Sequence, residues 1–428
     1  MQINLGYDYV QLIVGFILSL IAARNDSLTS NDQVRIMIKN GRKIDTLTSL
    51  RFIAAMMVIF MHSNGTLQYS LFLSSFNLSQ GVSLFFVLSG FIMVYVYPEL
   101  SKENVLAFFK SRFARIWPVH IAALGLILVV IPPQYVQFWG NRYHFLTSCF
   151  MIGSWIPLNK YFALINIPSW SIGTECFFYL CFPLLIYKFY KTWHIKLAIA
   201  FLLIVSIIFS CKYFHVPIEG DSINVMAAVY INPLSRLFEF ILGMSVGFLF
   251  NKMSQKTPGF FLASLLEIVV FYFVYMSLRQ VTSWYQTLFG HDPTLAIPTP
   301  AEIWVGWSGG SCIAFACLIF ILAFQKGIIS SILRFPIFIL LGEISYSMYL
   351  IHYTFLSYYG IYSSWFNSHF TAYQELIIFM SIILSLSYLM WRFVEVPCRR
   401  WIINVSLPGI WRKRSEKTKE TDNIIFPI

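Results

Sequence analysis

Arg51 and His62 stand eleven residues apart in the segment TLTSLRFIAAMMVIFMHS. On a helix that spacing is close to three full turns, so both side chains share one face about 16 Å apart. Ala55 and Val58 lie on the same stripe. A histidine placed this way can act as a base, and an arginine can hold an anion. The plainer alternative is an arginine reaching for the membrane surface and a histidine satisfied at an interface, joined by a small-residue packing stripe. A second apolar segment, QGVSLFFVLSGFIMVYVYP, carries Ser89 and Gly90 at its middle, a hydroxyl and a site of close backbone approach. In FFKSRFARIWP, Arg112 and Arg115 are three residues apart, which suits a two-armed grip on phosphate or, more simply, anchoring at a membrane surface. Glu175 lies one or two turns into PSWSIGTECFFYL, and LGEISYSMYLIHYTF carries Glu343 and His352. Arg236 and Glu239, at i and i+3, are expected to form a structural ion pair.

The elements that must position these residues follow from composition. The chain has 428 residues, 58% hydrophobic, 18% aromatic and only 11% charged. Soluble domains are about 45–50% apolar and about 25% charged. A mean hydropathy of +0.69 is too high for one soluble core, so much of the surface must face lipid. Disordered chains are polar and highly charged, which excludes that class. Seven cysteines, odd in number and without Cys-x-x-Cys spacing, exclude a disulfide scaffold and give no metal site.

A span needs about 20 predominantly apolar residues. Ten segments qualify: 45–63, 78–97, 114–133, 170–190, 195–211, 230–250, 259–277, 303–324, 335–357 and 373–394. The expected fold is therefore all-α, a polytopic bundle of about ten transmembrane helices. An N-terminal extension over 1–44 carries an extra apolar stretch at 8–23, read as an amphipathic or membrane-dipping helix with a full span as the alternative. The stretch 145–157 is too short and too broken by Gly and Pro to span. The transmembrane domain runs over 45–400, and a basic tail follows over 401–428.

The net charge of +11 would suggest nucleic acid in a soluble protein. Here, 24 of the 30 lysines and arginines fall on the side of the bundle that holds both of its ends, four on the other, and Arg51 and Arg236 inside spans. That bias places both ends of the ten-span block in the cytoplasm and leaves nucleic acid unneeded. Ionisable groups at membrane depth are costly and mark function by default. His62, Glu175 and His352 are expected in one layer near the outer side, with a cationic track of Arg51, Arg112 and Arg115 toward the cytoplasm.

Six motifs in order now resemble the acyltransferase-3 family of multi-pass membrane acyltransferases. They are Arg51-x3-Ala55-x2-Val58-x3-His62, GVSLFFVLSGF at 81–91, and Arg112-x2-Arg115 before Trp117-Pro118. They continue with Trp170-Ser171-x3-Glu175-x3-Tyr179-Leu180, GEISYSMYLIH at 342–352 and VEVPCRRW at 394–401. The resemblance implies transfer of an acyl group, usually acetyl from acetyl-CoA, to a hydroxyl of a carbohydrate: O-antigen, exopolysaccharide, a lipid-linked oligosaccharide or a small glycoside. The partners would be acyl-CoA, a carbohydrate or glycolipid acceptor and the lipid bilayer of the bacterial cytoplasmic (inner) membrane. Acetyl-CoA would be a co-substrate, with no bound cofactor. The family's essential His maps to His62, its paired Arg to Arg51, its Arg pair to Arg112 and Arg115, and its Ser-Gly-Phe motif to Ser89, Gly90 and Phe91.

There are departures. Ser83 stands where the family often has Asp, and Glu175-Cys176 where it often has Glu-Glu. The 1–44 extension is unusual, and no esterase-like domain follows span ten, as in the stand-alone form. The expected division of labour gives catalysis to His62, with Glu175 orienting it, and donor binding to Arg51, Ser89, Gly90, Arg112 and Arg115. Direct attack by the acceptor and an acyl-histidine intermediate both fit. Aromatic and polar groups at 278–302 (Trp284, Tyr285, His291, Asp292) suit a sugar. A transporter or flippase of a lipid-linked sugar is the alternative class, disfavoured because inverted halves and paired broken helices are not evident.

Overall fold

Backbone N–H and C=O groups cannot be left bare in hydrocarbon, so an apolar chain of this length closes its hydrogen bonds within helices. The computed structural model describes residues 43–67, 75–135, 142–158, 161, 165–254, 257–290 and 298–405. The 8–23 stretch, His291, Asp292 and most of the basic tail lie outside them. Among the described residues, strand-type pairing is limited to one isolated bridge, Leu158 with Ile223.

The helices run in order: α1 (Asp45–Leu67), α2 (Gly81–Val96), α3 (Val105–Val130), α4 (Arg142–Cys149), α5 (Ser169–Ile186), α6 (Phe189–Tyr213), α7 (Pro233–Met253) and α8 (Phe260–Phe289). They continue with α9 (Pro300–Trp307), α10 (Cys312–Ala323), α11 (Ile328–Leu333), α12 (Pro336–Ile361), α13 (Ser363–His369), α14 (Ala372–Met390) and α15 (Val396–Asn404). Among the described residues, nine stretches are long and apolar enough to cross a membrane, and they match nine of the ten expected spans. The tenth expected span is α12, whose 26 residues are long enough but less apolar. Its Ser345, Ser347, His352 and Thr354 are at most 2% exposed, so its polar groups face protein rather than lipid.

Several expected boundaries change, and two of the changes shape the bundle. Arg112 and Arg115 lie well inside α3, which starts nine residues before the expected span. The expected single span 303–324 is broken at Ser308-Gly309-Gly310-Ser311 into α9 and α10. The side chain of Gln80, fully buried, plugs that break. Its amide nitrogen donates to the carbonyls of Val305 (3.1 Å) and Gly306 (2.9 Å), and its oxygen accepts from the Ser311 N–H (2.7 Å).

The centre of the bundle is α2 against α7, whose most apolar windows are 72% and 83% buried, against 17% for α6. The two backbones nearly touch: a Cβ on Gly90 would strike the Phe240 carbonyl, and one on Gly243 the Val87 carbonyl. Small residues at such crossings let membrane helices approach closely. Helix α1 packs along α12 and against α2. Its first turns are tied down by hydroxyls, Thr46 donating to the Leu322 carbonyl (2.8 Å) and Ser49 to that of Leu333 (2.6 Å). Glu267 of α8, 1% exposed, accepts from the N–H groups of Gly327 (3.0 Å) and Ile329 (2.8 Å) and so caps the start of α11. These ties hold the end of α1 that carries Arg51.

Replacing Gln80 by Leu keeps the volume and strips three backbone groups of their partner. Each bare buried group costs about 1–3 kcal/mol. Gln80→Leu is therefore expected to lower the melting temperature of the detergent-solubilised protein by several degrees. Gly125→Ala, where a Cβ meets nothing within 4 Å, is expected to leave it unchanged.

Candidate active site

Five helices supply the polar side chains of one pocket. Arg51 comes from α1, Ser89 from α2, Arg112 and Arg115 from α3, Ser171, Glu175 and Tyr179 from α5, and Ser345, Tyr346 and Tyr349 from α12. The pocket encloses about 760 Å³ of atom-free space, counted out to its open mouth. Its walls are otherwise apolar, including Phe85, Phe86, Leu88 and Ile172.

The pocket is rich in cations that its carboxylates do not consume. Arg115 pairs with Glu395 (3.3 Å) and lies over the Tyr346 ring, 6.0 Å from its centroid. Arg112 has no ion pair among the described residues; it sits over the rings of Tyr97 (5.6 Å) and Tyr179 (5.8 Å) and donates weakly to the Tyr97 hydroxyl (3.4 Å). Nη1 of Arg51 is buried with no hydrogen-bond partner. Arg51 also lines a smaller neighbouring cavity with Lys43, whose ammonium pairs with Glu343 at 2.6 Å. An unpaired guanidinium away from water is costly, so the pocket as built calls for an anion.

Glu175 belongs to this pocket and not to the layer of His62. Its Oε1 accepts from the hydroxyls of Ser89 (3.1 Å) and Tyr179. Glu175 thus lies with the arginines of the pocket instead of level with His62, on a helix α5 whose start is covered. Residues 151–155 pack on its first turns: Trp155 Nε1 donates to the Gly173 carbonyl (2.9 Å), and a Cβ on Gly173 would strike the Met151 carbonyl. Gly90, expected at the donor, instead faces α7, while its neighbour Ser89 lines the pocket.

His62 meets a different partner, His352. The Nδ1 of His62 lies 3.0 Å from Nε2 of His352, and the rings are tilted by 20° with centroids 5.2 Å apart. The Tyr353 ring stands edge-on to His62 at 5.4 Å. His352 is fully buried, whereas His62 is half-buried and reachable. His352 is also tied to the pocket, since its Nδ1 lies 2.7 Å from the carbonyl oxygen of Tyr349, whose side chain lines the pocket and bonds Ser171 (2.8 Å). The two features thus abut through one residue of α12.

The Arg236–Glu239 pair expected from spacing is present at 2.8 Å and wholly buried. Ser83, standing where a related chain would carry Asp, donates to Glu239 Oε1 (2.9 Å), so a carboxylate at 83 would here oppose a carboxylate. Tyr179, Tyr346 and Glu395 also border the cations; each lies in one of the six motifs, which gave it no role of its own.

The chain matches the acyltransferase-3 family, described as an acyltransferase domain, over residues 44–392. It belongs to that family. With nine helices among the described residues long and apolar enough to cross a membrane, it is a multi-pass membrane acyltransferase. It is similar to the acyltransferase MdmB of Streptomyces mycarofaciens, 24% identical over 337 residues that cover 74% of this chain and 80% of the relative. It is also similar to the O-acetyltransferase OatA of Staphylococcus aureus, 26% identical over 381 residues, 84% of this chain and 58% of the relative. The chain thus spans little more than half the length of that second relative. No solved structure matches it.

Placing Glu175 among the arginines yields a test. Glu175→Gln keeps an acceptor for Ser89 and Tyr179 and removes the charge. It is expected to change the apparent KM for the donor more than kcat, the opposite of what an orienter of His62 would do. Steady-state kinetics on the purified variant decide between the two.

Proposed function

We propose that the chain is an O-acetyltransferase that moves an acetyl group from acetyl-CoA to a carbohydrate hydroxyl on a surface glycan or glycolipid. The reading rests on one observation: a pocket with unmet guanidinium valence opens on the same helix face as a reachable histidine, eleven residues along α1. That spacing is about 16 Å, a distance an extended acyl-thioester arm can bridge from phosphates held at one end. The basic loops support an orientation with the arginine end toward the cytoplasm, where acyl-CoA is made, and His62 toward the outer face of the bacterial cytoplasmic membrane.

In this reading, Arg112 and Arg115, with Arg51, hold the donor's phosphates. Ser89, Glu175 and Tyr179 shape the wall beside them. The acceptor hydroxyl gives its proton to His62 as its oxygen bonds to the thioester carbonyl carbon. The carbon–sulfur bond then breaks, and the departing thiolate takes the proton back from the imidazolium, leaving free CoA and an ester. Tyr353 beside His62, Tyr358 (37% exposed) farther along α12 and Tyr362 (39% exposed) just past its end offer ring faces of the kind sugars stack on. Trp284 and Tyr285, read as part of a loop, lie in the last turns of α8.

The test uses purified protein in lipid nanodiscs with acetyl-labelled CoA and glycolipid extract. Base-labile label is expected in the glycan, falling by at least about 100-fold in His62→Ala. The double variant Arg112→Ala, Arg115→Ala is expected to raise the donor KM by at least about tenfold, the equivalent of one lost charge-assisted contact. Transfer at the wild-type rate by His62→Ala would sink the assignment. Glycan movement across the membrane without label would favour the flippase.

A further inference from the structure

We propose that His352 is a positioning residue that holds His62 in the tautomer with a free Nε2, so that two imidazoles and a backbone carbonyl do the work that a carboxylate does in a common catalytic triad. The inference rests on the reading of His62 as the base and identifies what prepares it.

The Tyr349 carbonyl oxygen is only an acceptor, and it lies 2.7 Å from Nδ1 of His352, so Nδ1 must be the protonated nitrogen. In a neutral ring, Nε2 of His352 then has a bare lone pair. That lone pair lies 3.0 Å from Nδ1 of His62. Two bare nitrogens at that distance repel, so Nδ1 of His62 carries its proton and donates it to His352. Nε2 of His62 is left with the lone pair a base needs. A free histidine ring favours the opposite tautomer, with the proton on Nε2, which would leave the exposed edge of His62 unable to accept a proton.

The surroundings make the arrangement durable. His352 is fully buried in the middle of α12 and has no solvent with which to exchange partners. Its neighbours are the rings of Tyr349 (5.8 Å) and Tyr353 (6.3 Å), with His62 on the remaining side. Tyr353 is edge-on to both imidazoles, 80° to one and 88° to the other, and blocks rotation of either ring out of the pair. When His62 takes up a proton, its Nδ1–H still points at a lone pair, and the Tyr349 carbonyl dipole supports the far end of the relay. Glu175, the acid expected in that part, is engaged by Ser89 and Tyr179 in the arginine pocket.

The experiment has a readout that needs no substrate and one that does. Nitrogen-15 spectra of histidine-labelled protein in lipid, with the His62 signals assigned by their loss in His62→Gln, report which ring nitrogen holds the proton. Wild type is expected to show Nδ1–H at His62, and His352→Phe to shift it toward Nε2–H. In acetyl transfer, His352→Phe is expected to lower kcat by at least about 100-fold, with the donor KM changed by less than about threefold. His352→Gln, which offers an oxygen to His62, is expected to recover at least about tenfold of that loss. Nε2–H at His62 in the wild type would overturn the proposal even if the Phe variant failed to fold. A kcat within about threefold of wild type in His352→Phe, or a Gln variant no better than Phe, would overturn it as well. Nδ1–H at His62 in a protein that never accepts acetyl from acetyl-CoA would uphold the pairing and remove the donor assignment instead.

Discussion

Three guanidinium groups from two helices share one pocket inside a membrane bundle, and like charges repel strongly where water is scarce. This repulsion governs the site. Glu395 answers Arg115, and Glu175 lies between hydroxyl donors beside the others, so two carboxylates stand against three cations. Aromatic faces from Tyr97, Tyr179 and Tyr346 spread some of the remaining charge. What they leave is the buried, unpartnered Nη1 of Arg51 and an Arg112 with no acid of its own. On the proposed reading a multiply charged anion completes the set, and the rest of the architecture is the frame that keeps these helices close.

That frame is built from buried polar contacts as well as apolar packing. Gln80 substitutes for the hydrogen bonds lost where α9 gives way to α10. Glu267 caps α11, and two hydroxyls fasten the start of α1. Glycines bring α2 and α7 to backbone contact. The break between α9 and α10 has the look of a transporter's discontinuous helix, but it is filled by a side chain instead of lining a pathway. The open space lies elsewhere, among the arginines.

Much of this was legible before the structure. Nine spans, the shared face of Arg51 and His62, the grouping of Arg51 with Arg112 and Arg115, and the Arg236–Glu239 pair follow from apolar run length and helical period. Glu175 did not, because a residue count from the start of an apolar run does not fix which neighbouring helices its side chain faces. The break at 308–311 was hidden because both halves are apolar and the residue that plugs it, Gln80, is more than 200 positions away. His62 and His352 were expected in one layer, and the packing of α1 along α12 brings these residues, 290 apart, into direct contact.

The central claim is a divided site, with phosphates held at Arg51, Arg112 and Arg115 and chemistry carried out at His62. A cryo-electron microscopy map of the protein in nanodiscs, bound to a non-hydrolysable acetyl-CoA analogue, tests it most directly. The expected map has phosphate density against the guanidinium groups of Arg112 and Arg115 and the carbonyl carbon within about 4–7 Å of His62 Nε2, room enough for an attacking hydroxyl at near-attack distance. An analogue lying the other way round, or one whose carbonyl stops beside Glu175 with His62 out of reach, would contradict it.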